Sequence, residues 1–207
     1  MLVQWGMAPR PQHFDHHIDL FYQWLKTRDA MWLERGVFSA LAINGGKVLE
    51  LSCGDGFNAR NFYSLRANEV VAVDIDPDAI SKARRKNSAP NIKYQIMDIR
   101  SSLPSDHFDN VIWDFGFPLL EFFTENEVAN IFQNIKKVLN GVGILSGYTL
   151  AENNVTTENI AFCNKQDLRN FLLTYFKNVL VFQTKTPGRV NLYFWASDRD
   201  LPFSQEG

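Results

Sequence analysis

The stretch Leu49-Glu-Leu-Ser-Cys-Gly-Asp-Gly-Phe-Asn-Ala59 joins an acid, Glu50, to two glycines, Gly54 and Gly56, at Gly-x-Gly-x-x-Ala spacing. Glycines at a strand-to-helix turn let a ligand approach the backbone closely, because no Cβ stands in the way. A nucleotide is therefore the default ligand. Asp74 closes the next apolar run, and a carboxylate there accepts hydrogen bonds from ribose hydroxyls. A nicotinamide dinucleotide satisfies both features, and the glycine pattern alone is weakly specific. Glu50 weighs against it, since a pyrophosphate seated on this loop and the following helix N-terminus would meet like charge in a partly desolvated site. A ligand with a cationic amino-acid end and a sulfonium would be attracted. The bland alternative is that Glu50 caps a neighbouring backbone amide.

These residues need a scaffold, and the apolar pattern supplies one. Residues 47–51, 69–74, 92–98, 109–115 and 143–149 read as strands, and the intervals have room for crossover helices, which predicts a doubly wound parallel α/β sheet. One helix is well marked: Thr124 and Glu127 form a capping box, Val128, Ile131, Phe132, Ile135, Val138 and Leu139 follow at helical spacing, and Asn-Gly-Val-Gly at 140–143 is expected to end it. A further helix runs through Leu168, Phe171, Leu172 and Tyr175. After it, residues 178–184 and 191–197 are strands joined by a turn with Pro187 and Gly188. So short a connection cannot hold a parallel crossover, so this pair is an antiparallel hairpin. Near the start, Ile18, Phe21, Tyr22, Leu25 and Trp32 fall on one helical stripe, and Ile43-Asn-Gly-Gly46 breaks the chain.

Composition bounds the answer. With 207 residues, 45% of them apolar and 14% aromatic, the chain can bury one substantial core. The expected organisation is one domain, 1–207: an N-terminal helical addition or lid at 1–44, a ligand-binding part at 45–150, and a C-terminal helix and hairpin at 151–207. A formal net charge of -2 supplies no positive field, so nucleic acid is not implied as a partner. The two cysteines, Cys53 and Cys163, make no disulfide framework and fit a reducing compartment. The first residues lack the pattern of a signal peptide, and no run of about 18 apolar residues occurs, which predicts a soluble cytoplasmic protein with no membrane partner.

With the scaffold in place, the motifs resemble a known family. Val48-Leu-Glu-Leu-Ser-Cys-Gly-Asp-Gly56 is similar to the first motif of class I S-adenosylmethionine-dependent methyltransferases, and Val70-Val-Ala-Val-Asp-Ile-Asp-Pro-Asp-Ala-Ile80 to the second. Ile96-Met-Asp-Ile99 resembles the third, and Val138 to Leu145 resembles the turn that enters the fifth strand. The resemblance spans about residues 47 to 150 and implies S-adenosyl-L-methionine as cofactor and a seven-stranded, mostly parallel sheet in the order 3-2-1-4-5-7-6, with strand 7 antiparallel and helices on both faces. Carried over by position, Glu50 lies near the methionine end, and Ser52, Cys53, Gly54 and Gly56 line it by backbone. Asp74 holds the ribose, Ile75 packs on the adenine face, Asp98 accepts from the exocyclic amine and Ile99 offers an amide. Asp76, before Pro77, reads as a turn residue. Ser52 departs from the pattern, where many members have glycine, and this puts a close backbone contact in doubt.

Methyl transfer from a sulfonium depends on alignment and water exclusion, and needs a base only if the acceptor must lose a proton. The sequence is thin here. Trp113-Asp-Phe-Gly-Phe-Pro118 lies where the methyl should point; it faintly echoes the Asp/Asn-Pro-Pro-aromatic motif of amino-directed members but lacks its prolines. Glu121-Phe122 lacks the histidine of the Glu-His pair in many small-molecule members, so no base carries over. Trp113, Phe115 and Phe117 read as core or pocket wall, and Asp114 is the polar candidate to orient an acceptor. His17 and Tyr22 are further weak catalytic candidates on a lid; His13 and His16 with His17 lack the companions of a metal site, and no metal is expected. Arg35 either pairs with an acidic acceptor or forms a helix-surface ion pair. Tyr148 is a candidate pocket wall. Cys53 has no histidine beside it in sequence to make it a nucleophile. The leading expectation is a methyltransferase acting on a small molecule, with O- or N-methylation open; the alternatives are an NAD(P)-dependent oxidoreductase and a non-catalytic cofactor-binding or interaction protein of this fold.

Overall fold

A computed structural model describes residues 31–115, 123–151, 162–186 and 189–202. In chain order the elements are α1 (Met31–Leu41), β1 (Lys47–Leu51), a π-helix (Ala59–Tyr63), β2 (Glu69–Asp74), α2 (Pro77–Lys86), β3 (Ile92–Ile96), β4 (Phe108–Trp113), α3 (Glu125–Val138), β5 (Leu139–Ala151), α4 (Lys165–Leu173), β6 (Asn178–Thr186) and β7 (Arg189–Ser197). The seven strands form one sheet in the order β3-β2-β1-β4-β5-β7-β6. All neighbours among the first five pair in parallel, and β7 runs antiparallel to both β5 and β6. The resemblance implied this order, and the hairpin is the one expected from the short connection.

Strand alternation sends side chains to two cores. Leu49, Leu51, Val71, Val73, Val111 and Trp113 face one side and pack with Val128, Ile131, Phe132 and Ile135 of α3 and Leu168 and Leu172 of α4. Val48, Val70, Ala72 and Ile112 face the other, under Ala40 of α1, Ala59 and Tyr63 of the π-helix and Ile80 and Ala83 of α2. Each fully buried large side chain contributes roughly 1.5–3 kcal/mol. Trp113 and Phe115 belong to the first core, their rings 5.1 Å apart with Phe132 and Phe194 beside them, so they are packing residues rather than pocket wall.

The capping box of α3 is formed as expected: Glu127 N donates to Thr124 Oγ1 at 3.3 Å and Thr124 N to Glu127 Oε2 at 2.8 Å. Its other end corrects the expectation. The helix stops at Val138 and passes through an extended Leu139 straight into β5, so Asn140-Gly-Val-Gly143 lies within the strand rather than forming a glycine cap. The register of β5 on β4 jumps between Phe108↔Leu139 and Asn110↔Ile144, and the extra residues are absorbed in that bulge. β3 also ends earlier than expected, at Ile96, which leaves Asp98 on a loop. Asp76 is the N-cap of α2, accepting from Asp78 N at 2.8 Å, with Pro77 opening the helix.

Gly36 explains how α1 settles over the sheet. A Cβ there would collide with the Phe62 ring, 2.6 Å from its Cγ, so only glycine lets the π-helix lie against the α1 backbone. That approach brings the neighbouring Arg35 over the carboxyl ends of the central strands.

Candidate functional site

The glycine loop is held open from behind. Cys53 N donates to Val73 O at 2.9 Å and Gly54 N to Asp74 Oδ2 at 2.8 Å, tying the loop to the end of β2. Gly54 and Gly56 sit at φ 57° and 75°, in the left-handed region. Ser52 does too, at φ 56°, and is the non-glycine residue with positive φ among the described residues. A left-handed backbone costs an L-residue about 1–2 kcal/mol, so the serine at this place bears on conformation. The segment after the loop runs into a π-helix at Ala59–Tyr63, a form common at functional sites.

A pocket of about 210 Å³ lies beside this loop, lined by Ser52, Asp74, Ile75, Met97, Asp98, Ile99, Arg100 and Phe123. Five expected cofactor positions, Ser52, Asp74, Ile75, Asp98 and Ile99, thus share one cavity. Ile75 is 55% exposed, an apolar plate open to the cavity. Asp74 uses Oδ2 on Gly54 N and Oδ1 on Asp76 N, at 2.9 Å, and each oxygen keeps a second acceptor site. Burial raises the Asp74 carboxyl above its ordinary value. Asp98 is instead lowered by the Arg100 guanidinium, which grips both its oxygens at 2.7–3.1 Å. Arg100, Met97 and Phe123 were not anticipated; the Asp-x-Arg spacing was the available signal for Arg100, since a guanidinium two residues on can fold back onto the acid.

Glu50, Cys53, Gly54 and Gly56 lie around the loop rather than on that pocket's lining. Cys53 is buried, and burial first and Glu50 second push its thiol well upward, so no thiolate nucleophile forms. Glu50 is 5% exposed, and its Oε2 has no hydrogen-bond partner among the described residues, which argues against the amide-capping alternative for that oxygen. Burial and then the Asp114 charge push its carboxyl well above the ordinary range.

Asp114 stands next to it across the sheet. β1 and β4 align Glu50 with Ile112, and β4 and β5 align Ile112 with Ser146. Two residues further along come Ser52 and Asp114, just past the ends of β1 and β4, and Tyr148 of β5. Arg35 of α1 closes over them: its Nη2 lies 2.7 Å and its Nε 2.8 Å from Asp114 Oδ2, and its guanidinium carbon is 5.3 Å from the Tyr148 ring centre. Burial disfavours the Arg35 charge, but Asp114 and Tyr148 outweigh it and hold the pKa above its ordinary value. Asp114 Oδ1 is buried with no hydrogen-bond partner among the described residues. Tyr148 continues the polar row, donating to Asn191 Oδ1 at 3.2 Å, while Tyr193 and Thr184 donate to Glu34 of α1 at 2.6 and 2.7 Å. Arg35 is therefore half of a part-buried ion pair rather than one on the helix surface. His13, His16, His17, Tyr22, Phe117, Glu121 and Phe122, and the 187–188 turn, lie outside the described residues.

An acid-rimmed pocket with an apolar plate, left-handed glycines and an orphaned buried carboxylate fits a nucleoside joined to a cationic amino acid better than one joined to phosphates. That is a nucleoside-binding member of the doubly wound α/β class. Residues 48–143 match the family described as "Methyltransferase domain". A ribosomal protein L11 methyltransferase from Burkholderia multivorans is 36% identical over 81 residues, covering 39% of this chain and 25% of the relative, so the chain spans about a quarter of that relative's length. Among solved structures, the DhpI-SAM-HEP complex superposes with TM-score 0.63 at 14% identity over 94% of each chain. The PH0226 protein of Pyrococcus horikoshii OT3 gives 0.61 at 19% identity, over 94% of this chain and 98% of its own. The family match and the shared fold support a class I S-adenosylmethionine-dependent methyltransferase, with S-adenosylmethionine as the cofactor, over the nicotinamide alternative. No helix among the described residues is long and apolar enough to cross a membrane.

Proposed function

We propose that the chain methylates a small-molecule acceptor at the carboxyl edge of β4 and β5. The observation that carries this is Asp114 Oδ1, a buried carboxylate oxygen left without a partner while Oδ2 is held by Arg35. In this reading Glu50 faces the methionine end, Ser52, Cys53, Gly54 and Gly56 line it by backbone, Asp74 takes the ribose, Ile75 the adenine face, Asp98 the exocyclic amine, and Ile99 offers its amide. When bound, the cofactor supplies an electrophilic methyl group. Asp114 accepts an N–H or O–H of the acceptor and aims its lone pair; Arg35 fixes the rotamer of Asp114; Tyr148 walls the site and α1 keeps water out. An enclosed acid suits a small donor-bearing group better than a broad protein surface.

The test is methyl transfer, followed by mass spectrometry, to a panel of small amines, alcohols and carboxylates, with ribosomal protein L11 as protein acceptor. Transfer to a panel member, lost in Asp114→Ala with S-adenosylhomocysteine binding retained, is expected. Transfer to L11 and to no small molecule overturns the reading and favours a protein acceptor, the second reading, which the curated relatives support. Titration with S-adenosylhomocysteine against NADH tests the cofactor separately: heat from the first and none from the second is expected.

A further inference from the structure

Asp98 stands on the loop after β3 and lines the pocket together with Arg100 and Phe123. An ionised carboxylate offers about four acceptor sites, two on each oxygen. Arg100 fills them all. Its backbone N–H and its Nε donate to Asp98 Oδ1 at 3.0 and 2.9 Å, and its Nε and Nη2 donate to Oδ2 at 3.1 and 2.7 Å. Asp74, by contrast, gives each oxygen to one backbone amide and keeps a second site for a ligand. The acid assigned to the exocyclic amine is thus one that its own chain already satisfies, and a neutral amine joins it only by displacing a charged donor that binds more strongly.

The guanidinium can leave this seat. The Arg100 and Asp98 side chains are 39% and 31% exposed, so the pair is an exposed one of modest strength. Glu127, in the first turn of α3, acts on Arg100 electrostatically and gives it a second acidic neighbour at the pocket mouth. We propose that Arg100 is a latch on adenine recognition: its guanidinium holds Asp98 until the cofactor's exocyclic amine displaces it toward Glu127, and the amine's contribution to affinity is reduced by the cost of breaking that pair. The inference rests on the cofactor reading, in which Asp98 accepts from the amine. A purine without a donor at that position leaves the latch closed.

The experiment is calorimetric titration of the full chain, native, Arg100→Met and Arg100→Lys, with S-adenosylhomocysteine and separately with its analogue whose purine lacks the 6-amino group. An exposed ion pair is worth about two- to fivefold in an equilibrium constant, so Arg100→Met should bind S-adenosylhomocysteine about two- to fivefold more tightly than the native chain, with affinity for the analogue changed by less than about 1.5-fold. Arg100→Lys, whose single ammonium lacks the fork that grips both oxygens, should fall between. Equal tightening of both ligands overturns the proposal, because Arg100 then only narrows the pocket. Unchanged or weaker binding of S-adenosylhomocysteine in Arg100→Met also overturns it and makes Arg100 a positioning residue for Asp98. Binding of neither ligand by any of the three proteins is a different failure: it removes the cofactor assignment and this inference with it.

Discussion

Gly56→Ala isolates the demand that the cofactor loop makes on the fold. Gly56 holds φ +75°, and a Cβ there would lie 2.6 Å from Tyr94 Cε1, 2.7 Å from Cζ, and nearer still to the hydroxyl oxygen. The ring cannot swing aside freely. Its hydroxyl donates to Asn87 O at 2.7 Å and reaches Gly56 O at 3.3 Å, and Arg84 Nη2 binds the Tyr94 carbonyl at 2.8 Å. A left-handed L-residue costs about 1–2 kcal/mol and overpacking about 1–3, against roughly 0.4–1 recovered from the unfolded chain. The net is a loss of about 2–4 kcal/mol, which for a chain of this size lowers the Tm by about 4–16 °C. Calorimetry of the ligand-free protein reads this directly. Gly141→Ala is the control: nothing stands within 4 Å of its Cβ, so it should stay within about 0.5 kcal/mol of the native chain. Adding Tyr94→Phe to Gly56→Ala should restore only part of the loss, since two ring carbons still crowd the methyl. A Gly56→Ala melt within 2 °C or so of native, or equal damage from Gly141→Ala, would falsify the ring-contact argument.

The other perturbations follow from the same geometry. Ser52→Gly should raise stability by up to about 1 kcal/mol, because relief of the φ 56° strain exceeds the added unfolded-state entropy; a chemical-denaturation midpoint that falls refutes this. Asp55 has its carboxyl raised from 3.8 to about 6, mainly by burial. The folded state therefore holds the proton more tightly than the unfolded one, and stability from this group is full below about pH 4 and is lost as pH rises through about 6. Asp55→Asn should flatten that part of the stability profile, and an unchanged slope between pH 4 and 6 counts against it. Arg35→Met leaves Asp114 as an uncompensated buried charge and should cost about 3–5 kcal/mol, much of it recovered in the double variant Arg35→Met with Asp114→Leu; a double-mutant cycle with no coupling refutes the buried pair.

Much of the fold was legible because its strands stand out as apolar runs, with Leu51, Asp74 and Trp113 at the ends of β1, β2 and β4. β1 and β2 fall on the residues expected, and the capping box of α3 was readable because both partners lie within one turn. The other end of that helix was not. Asn140-Gly-Val-Gly143 has the composition of a cap, yet pairing with β4 claimed those residues for the strand, and a backbone choice between two hydrogen-bonding partners is settled by what lies alongside.

By itself the sequence pointed to the ligand's chemistry: an acid before a glycine turn, Asp74 at the end of β2 and Asp98 on the loop after β3 are local facts of residue type and order. Only the tertiary structure decided where the buried charges meet. Arg35 and Asp114 lie 79 positions apart and Glu34 and Tyr193 159 apart, so their pairing depends on the Gly36 contact with Phe62 and on strand register. A one-residue slip of β4 against β1 would turn Asp114 to the opposite core, and no pattern within one segment encodes that register.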